Sequence, residues 1–304
     1  MRIERILVLG ATGLIGMPVA RQLLADGHHV RVLVRDIDRA QAQLGPELEY
    51  VPGSVTDSAA VNRAVKSVNA VHVSLGVEDS ASFDTVEHRG TATVAAAAAR
   101  HGLERISYLT GSLVREEYGP KIPEHRAKLA AERAIQASGV PYTFFRPTYF
   151  VNTMPRHIQG RLLVALGRQR RPLHPVCAED FATQIAHAFA TPAAANCDFY
   201  IHGPEQLTLH QALETYRRIV ARDKRLVTIP LPVMAAIDRL FMGRKLEPNL
   251  QIMRLLARIG ESGDPSAAND LLGAPTTTVQ AWCHTQAATH PKRQRPSTNW
   301  VEHP

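Results

Sequence analysis

A doubly wound parallel α/β sheet, followed by a small and mostly helical C-terminal region, is the fold this 304-residue sequence predicts. Three observations carry it. An apolar run, Ile6 to Leu9, breaks into three glycines spaced three apart, Gly10, Gly13 and Gly16. A second apolar run, His29 to Val34, follows one helix-length later and closes a βαβ unit. Short apolar segments then keep alternating with helical stretches as far as Pro147, the pattern of strands buried on both faces.

The first run reads as a strand and the glycines as a tight turn opening a helix over Leu14 to Ala25. Gly10 permits the turn, Gly13 allows close approach of a bulky group, and Gly16 lets the helix lie near the strand. The first amides of that helix converge on one spot and favour negative charge there. A dinucleotide pyrophosphate is the expected occupant, cradled by Gly10, Thr12, Gly13, Leu14, Ile15 and Gly16. Residues 1–150 are therefore expected to form a Rossmann-like dinucleotide-binding domain.

After the second strand come Arg35 and Asp36, where the adenosine ribose should lie. An arginine there accommodates a 2′-phosphate and an acid binds ribose hydroxyls, so Arg35 favours NADP(H) while Asp36 keeps NAD(H) open. A strand is expected over Leu48 to Val51, with Ser54 and Val55 near the adenine. Asp57 then caps a helix over Ala59 to Val65. The strand Ala70 to Leu75 should carry the backbone of Ser74, Leu75 and Gly76 past the cofactor. A long helix spans Thr85 to Arg100, the fifth strand Ile106 to Thr110 and the sixth Tyr142 to Arg146. Thr110 and Ser112, at the carboxyl end of a strand, are candidates to contact a substrate oxygen or simply to cap the turn. Pro147 should border the nicotinamide.

The G-x-x-G-x-x-G spacing with Ala11-Thr12 resembles the short-chain dehydrogenase/reductase superfamily in its extended and atypical branches. The resemblance sharpens with Arg31-Val32-Leu33-Val34-Arg35-Asp36, the helix carrying Lys128, and Gly139 through Pro147. It continues into Leu173-His174-Pro175-Val176 with Glu179-Asp180, and His202-Gly203-Pro204-Glu205 with Leu207-Thr208. Together these are similar to the NmrA-like, NAD(P)H-binding atypical branch. That branch implies reductases, alongside members that only sense the cofactor. Its relatives use a Tyr-x-x-x-Lys pair on one helix face, the lysine lowering the tyrosine pKa and holding the nicotinamide ribose. Aligned on Lys128, the tyrosine position holds Glu124. A carboxylate beside a lysine ionises readily and then cannot donate a proton; desolvated, it could act as an acid with a raised pKa. Tyr118 could reach in from the preceding loop, and His125 points about 100° away from the Glu124 face. The two functions implied are a reductase of a small carbonyl, enone or sugar-like substrate, and a non-catalytic NADP(H) sensor that engages a partner.

Residues 151–288 read as a substrate or lid region, starting with an irregular basic stretch through Arg171. Asp180 is expected to cap a helix over Phe181 to Ala190, and Thr208 one over Leu209 to Ala221, with a short strand over Asp198 to Ile201 between them. Two further helices after Ile229 read as a lid or a homodimer face rather than a membrane-surface anchor, and Thr276 to Cys283 as a last helix. Residues 289–304, rich in Pro, Lys, Arg and Ser, read as a disordered tail.

With 45% hydrophobic and 21% charged residues the chain has the balance of a globular protein. No apolar run approaches the roughly 20 residues of a membrane span, and the first strand begins too early to leave room for a signal peptide. The cytoplasm is the expected location. A net charge of +7 is dispersed and fits an anionic cofactor pocket and a solvated surface better than nucleic acid. Cys177, Cys197 and Cys283 match no disulfide framework, and the 14 histidines include no H-x-x-x-H or H-E-x-x-H spacing, so no metal site is expected.

Overall fold

The computed structural model describes residues 3–76 and 82–289; the tail expected over 289–304 lies, beyond Thr289, outside them. In chain order the elements begin β1 Arg5–Leu9, α1 Gly16–Ala25, β2 His29–Val34, α2 Ile37–Leu44, β3 Glu49–Pro52, α3 Ser58–Val65 and β4 Ala70–Val73. A π-helix, Phe83–Gly90, runs into α4 Thr91–Arg100, followed by β5 Arg105–Leu109, α5 Pro123–Ala137 and β6 Tyr142–Pro147. Then come β7 Ile158–Gln159, β8 Leu162–Leu166, α6 Ala178–Ala190, β9 Cys197–Ile201, α7 Leu209–Ile219 and β10 Arg225–Ile229. The last helices are α8 Leu231–Phe241, α9 Glu247–Ile259, α10 Ser266–Leu272 and α11 Val279–Thr289.

Two compact units result. The first comprises Met1–Pro147, Ala178–Ile201 and Asp264–Ala274. It holds a seven-stranded, wholly parallel sheet in the order β3-β2-β1-β4-β5-β6-β9, which bears out the doubly wound fold read from the sequence. Strand side chains alternate in period two: Leu7, Leu9, Val71, Val73, Ile106, Tyr108 and Phe144 join the core that α3, α4 and α5 complete. On the opposite face Phe145 meets Phe181 of α6 edge to face, 5.5 Å between centroids. The order reverses between β1 and β4, and ligands in such sheets bind beyond the carboxyl ends at that switch point.

The second unit comprises Thr148–Cys177, His202–Gly263 and Pro275–Pro304. Its core gathers Met154, Leu163, Leu213, Tyr216 and Trp282. Thr208 caps α7 as expected, in a reciprocal capping box with Gln211. The unit also contains a three-stranded sheet, β10-β8-β7, where the sequence reading expects irregular chain. Leu162 to Leu166 is a five-residue apolar run, too short for its periodicity to separate strand from helix.

Two helix readings also differ. The stretch expected as one α-helix over Thr85 to Arg100 is π-helical as far as Gly90, which packs so closely on Val55 that a Cβ would stand 2.8 Å from its Cγ2. The helix expected from Phe181 begins at Ala178, so Asp180 sits within its first turn, still favourable to the dipole, rather than before it. Among the described residues no helix is long and apolar enough to cross a membrane, and none of the cysteines is in a disulfide.

Candidate active site

The glycine turn lies at the switch point. Ser74 donates its amide to Leu9 O (3.1 Å), bringing the ends of β1 and β4 level. Gly10 turns away with φ +81°, and a Cβ on it would stand 2.1 Å from Ser74 O. Gly16 is equally constrained, with a Cβ position 2.2 Å from Gly10 O. These two glycines are demanded by the fold itself. Gly13 differs: its Cβ would meet only Gly10 O, at 3.1 Å, and it is exposed between exposed Thr12 and Leu14. No side chain caps α1 after half-buried Ile15, and its first turn carries no acid. The positive end of the helix is thus left to an external anion, and the residues present fit a pyrophosphate.

Arg35 and Asp36 are both exposed at the end of β2. The Asp36 carboxylate accepts the Arg39 amide (3.0 Å) as the cap of α2, which leaves Arg35 as the side chain without a local structural task. Val55 turns inward against Gly90 and is only 8% exposed. Ser54 bonds Thr56 within its own turn (2.9 Å). Ser74 is buried, Leu75 half-buried and Gly76 exposed along the exit of β4.

A buried polar cluster occupies the carboxyl end of β5. Lys128 on α5 donates to Glu87 Oε1 (3.2 Å) and to Leu109 O (3.3 Å), and its Nζ lies 5.5 Å from the centre of the Tyr108 ring. Tyr108 donates to the same Glu87 oxygen at 2.6 Å. Burial would lower the Lys128 pKa, yet Glu87, Glu124 and Glu132 together outweigh it and hold the ammonium above the usual lysine range. Glu124, one turn before Lys128, is governed by desolvation: burial lifts its carboxyl, Lys128 opposes, and Glu87 adds repulsion, for a net rise. Of the two states expected for Glu124, the desolvated acid is the one the geometry favours. Tyr108, buried beside Glu87, is pushed far above the ordinary phenol range by desolvation first and by that carboxylate second.

Thr110 donates to Glu132 Oε1 (2.5 Å), and Arg146 grips both Glu132 oxygens at 3.1 and 2.9 Å while bonding Asp198 and Val114 O. The Thr110 hydroxyl proton is therefore engaged inside the first unit. Ser112 is buried, its amide bonded to Pro147 O (3.0 Å), which ties together the ends of β5 and β6. Tyr118 is half-buried at the start of a 3-10 turn, and burial pushes His125 down to about 4.

A family model described as NAD(P)H-binding matches residues 10–192, which span the glycine turn, Arg35 and the Lys128 helix. The chain belongs to the NAD(P)H-binding family. It is 31% identical over 223 residues to the (4-alkanoyl-5-oxo-2,5-dihydrofuran-3-yl)methyl phosphate reductase of Streptomyces griseus, covering 72% of this chain and 75% of that one. It is 29% identical over 283 residues to the chloroplastic divinyl chlorophyllide a 8-vinyl-reductase of Oryza sativa, covering 84% and 68%. An NADPH-dependent quinone oxidoreductase of Escherichia coli, solved with NADPH, shares the fold with TM-score 0.73 at 20% identity, over 92% of this chain and 99% of that one.

The structure thus brings Lys128 and Glu124 together with Glu87 and Tyr108, two residues that the sequence reading passes over. Glu87 stands in no motif; its inward turn comes from the π-helix, which sequence periodicity does not encode. Tyr108 reads simply as a strand residue.

Proposed function

We propose that this chain is an NADP(H)-dependent oxidoreductase that reduces a small carbonyl, enone or sugar-like substrate. The observation that carries this reading is Lys128, buried and fixed by Glu87 and Leu109 O, one helical turn from a desolvated Glu124. The backbone of Gly10, Thr12, Gly13, Leu14, Ile15 and Gly16 takes the pyrophosphate, and Arg35 the 2′-phosphate. Val55, Ser74, Leu75, Gly76 and Pro147 line the nucleotide's course. The bound nucleotide supplies the hydride. Lys128 holds the nicotinamide ribose, and Glu124, in the tyrosine position and protonated, supplies the proton that completes reduction. Ser112 orients the reacting oxygen, while Thr110 steadies the Glu132–Arg146 pair beside it. Relatives named for reducing a vinyl group and an oxo-dihydrofuran support an electron-poor double bond as acceptor, and the second unit is assigned to its selection.

The test is the loss of NADPH absorbance with a panel of quinones, enones and aldehydes. Lys128→Met should lower kcat/KM at least about tenfold, as expected when one positioned group is lost. Glu124→Gln should lower kcat while NADPH affinity is kept, and the wild-type rate should fall as pH rises through the raised Glu124 pKa. A Gln variant as fast as wild type, with the same pH profile, would remove Glu124 from the chemistry.

A further inference from the structure

The second unit gathers two histidines and a glutamate. Backbone contacts place them. Leu173 and Leu207 exchange amide-to-carbonyl hydrogen bonds, both 2.8 Å, and Gly203 donates to His174 O at 3.0 Å. A Cβ on Gly203 would stand 1.8 Å from Pro175 O, so the two segments run in direct backbone contact and set His174 beside His202. Their rings stack, 4.8 Å between centroids and 2° from parallel. Gly260, with φ +77°, delivers Glu261 to the pair.

Glu261 Oε2 lies 2.5 Å from His174 Nδ1 and 3.9 Å from His202 Nε2, and it also accepts the His174 amide at 2.9 Å. All three donor atoms fall within 4.8 Å of one another. Donors around a tetrahedral zinc ion, each about 2.0–2.1 Å from it, stand about 3.4 Å apart, so the observed spacings bracket that value. The Glu261 side chain is only 6% exposed, and its Oε1 is buried with no hydrogen-bond partner. A buried carboxylate oxygen without a partner is costly unless a cation or donor completes it.

We propose that His174, His202 and Glu261 form a binding site for a divalent transition metal of the zinc class. Two imidazoles and one carboxylate are the donor set of three-ligand zinc sites, which leave a fourth position for water or a small oxygen ligand. The amide bond from His174 to Oε2 orients the carboxylate beside both rings, the kind of outer contact that tunes a metal ligand. His174 and Glu261 lie 87 positions apart, so no spacing rule exposes the set in the sequence. This inference concerns the second unit alone and stands or falls independently of the nucleotide reading.

The test uses the tag-free full chain, stripped with chelator and titrated by calorimetry with zinc, then with cobalt(II) under visible absorbance. One equivalent of zinc should bind, and cobalt(II) should develop the visible bands of a low-coordinate nitrogen–oxygen site. His174→Ala and Glu261→Gln should each weaken zinc binding at least about tenfold, while His210→Ala, at an exposed histidine outside the set, should not. Circular dichroism separates loss of a ligand from loss of fold, and the cobalt spectrum of the unaltered protein needs no variant. Absence of a cobalt band together with zinc binding weaker than about 1 mM, or zinc binding indifferent to both substitutions in folded variants, would reduce the cluster to a His–Glu ion pair and overturn the proposal.

Discussion

The glycine turn yields a prediction in which two chemically identical substitutions part company. Gly10→Ala forces a side chain into the left-handed region at φ +81°, which costs roughly 1–2 kcal/mol, and sets its Cβ 2.1 Å from Ser74 O, so β1 and β4 must separate. At about 2–4 °C per kcal/mol for large domains, the melting temperature should fall by several degrees. Gly13→Ala meets only Gly10 O at 3.1 Å and has no left-handed penalty, so stability should stay within about 1 kcal/mol of wild type. The new methyl instead stands in the exposed mouth of the turn, where a phosphate must approach the backbone. Losing one charge-assisted hydrogen bond of about 1.5–3 kcal/mol weakens NADPH binding roughly 10- to 150-fold. Calorimetric melting and nucleotide fluorescence titration read the two effects separately. If Gly13→Ala binds NADPH as tightly as wild type, the turn is not the pyrophosphate cradle; if Gly10→Ala melts unchanged, the fold does not depend on that close approach.

Two other outcomes follow from named side chains. Arg35→Ala should weaken NADPH binding about tenfold or more and leave NADH binding unchanged, read by parallel titrations; equal losses for both nucleotides would remove the 2′-phosphate contact. His72 is buried against Ser107 (2.9 Å), and burial lowers its pKa to about 3, below its unfolded value of about 6.5. The unfolded chain binds the extra proton between those values, so this contribution is intact above pH 6.5 and is lost as pH falls towards 3. Between pH 7 and 5 the loss is about 2 kcal/mol, and urea midpoints for His72→Asn should fall correspondingly less over that range.

The parallel sheet and glycine turn were legible because their signals are local: apolar runs of strand length, glycines at fixed spacing, and polar caps at Asp57 and Thr208. Lys128 was singled out by the resemblance, whose Tyr-x-x-x-Lys motif puts its lysine four residues after Glu124 on one helix face. Glu87 was not, since a π-turn changes which side chain points inward without changing composition. Nor was the cluster of His174, His202 and Glu261, which depends on backbone contacts between segments far apart in the chain. The three-stranded sheet of the second unit escaped for a third reason: its strands are short, and β8 pairs with β10 from far along the chain.

Glu124 shows how burial can reverse an inference drawn from a neighbour. In sequence, a lysine four residues on argues for an ionised carboxylate, which would be a poor replacement for a proton-donating tyrosine. In the structure that lysine is hydrogen-bonded to Glu87, not Glu124, and two carboxylates compete for one ammonium. Bringing a second charge to the same ammonium gains less than the water it gives up, so desolvation governs Glu124 and its carboxyl is held in the acid form to higher pH. A site that lacks tyrosine can then still present a proton donor beside its lysine. Glu87 contributes twice: it takes the hydrogen bond of the Lys128 ammonium, and its own charge adds to the rise of the Glu124 carboxyl.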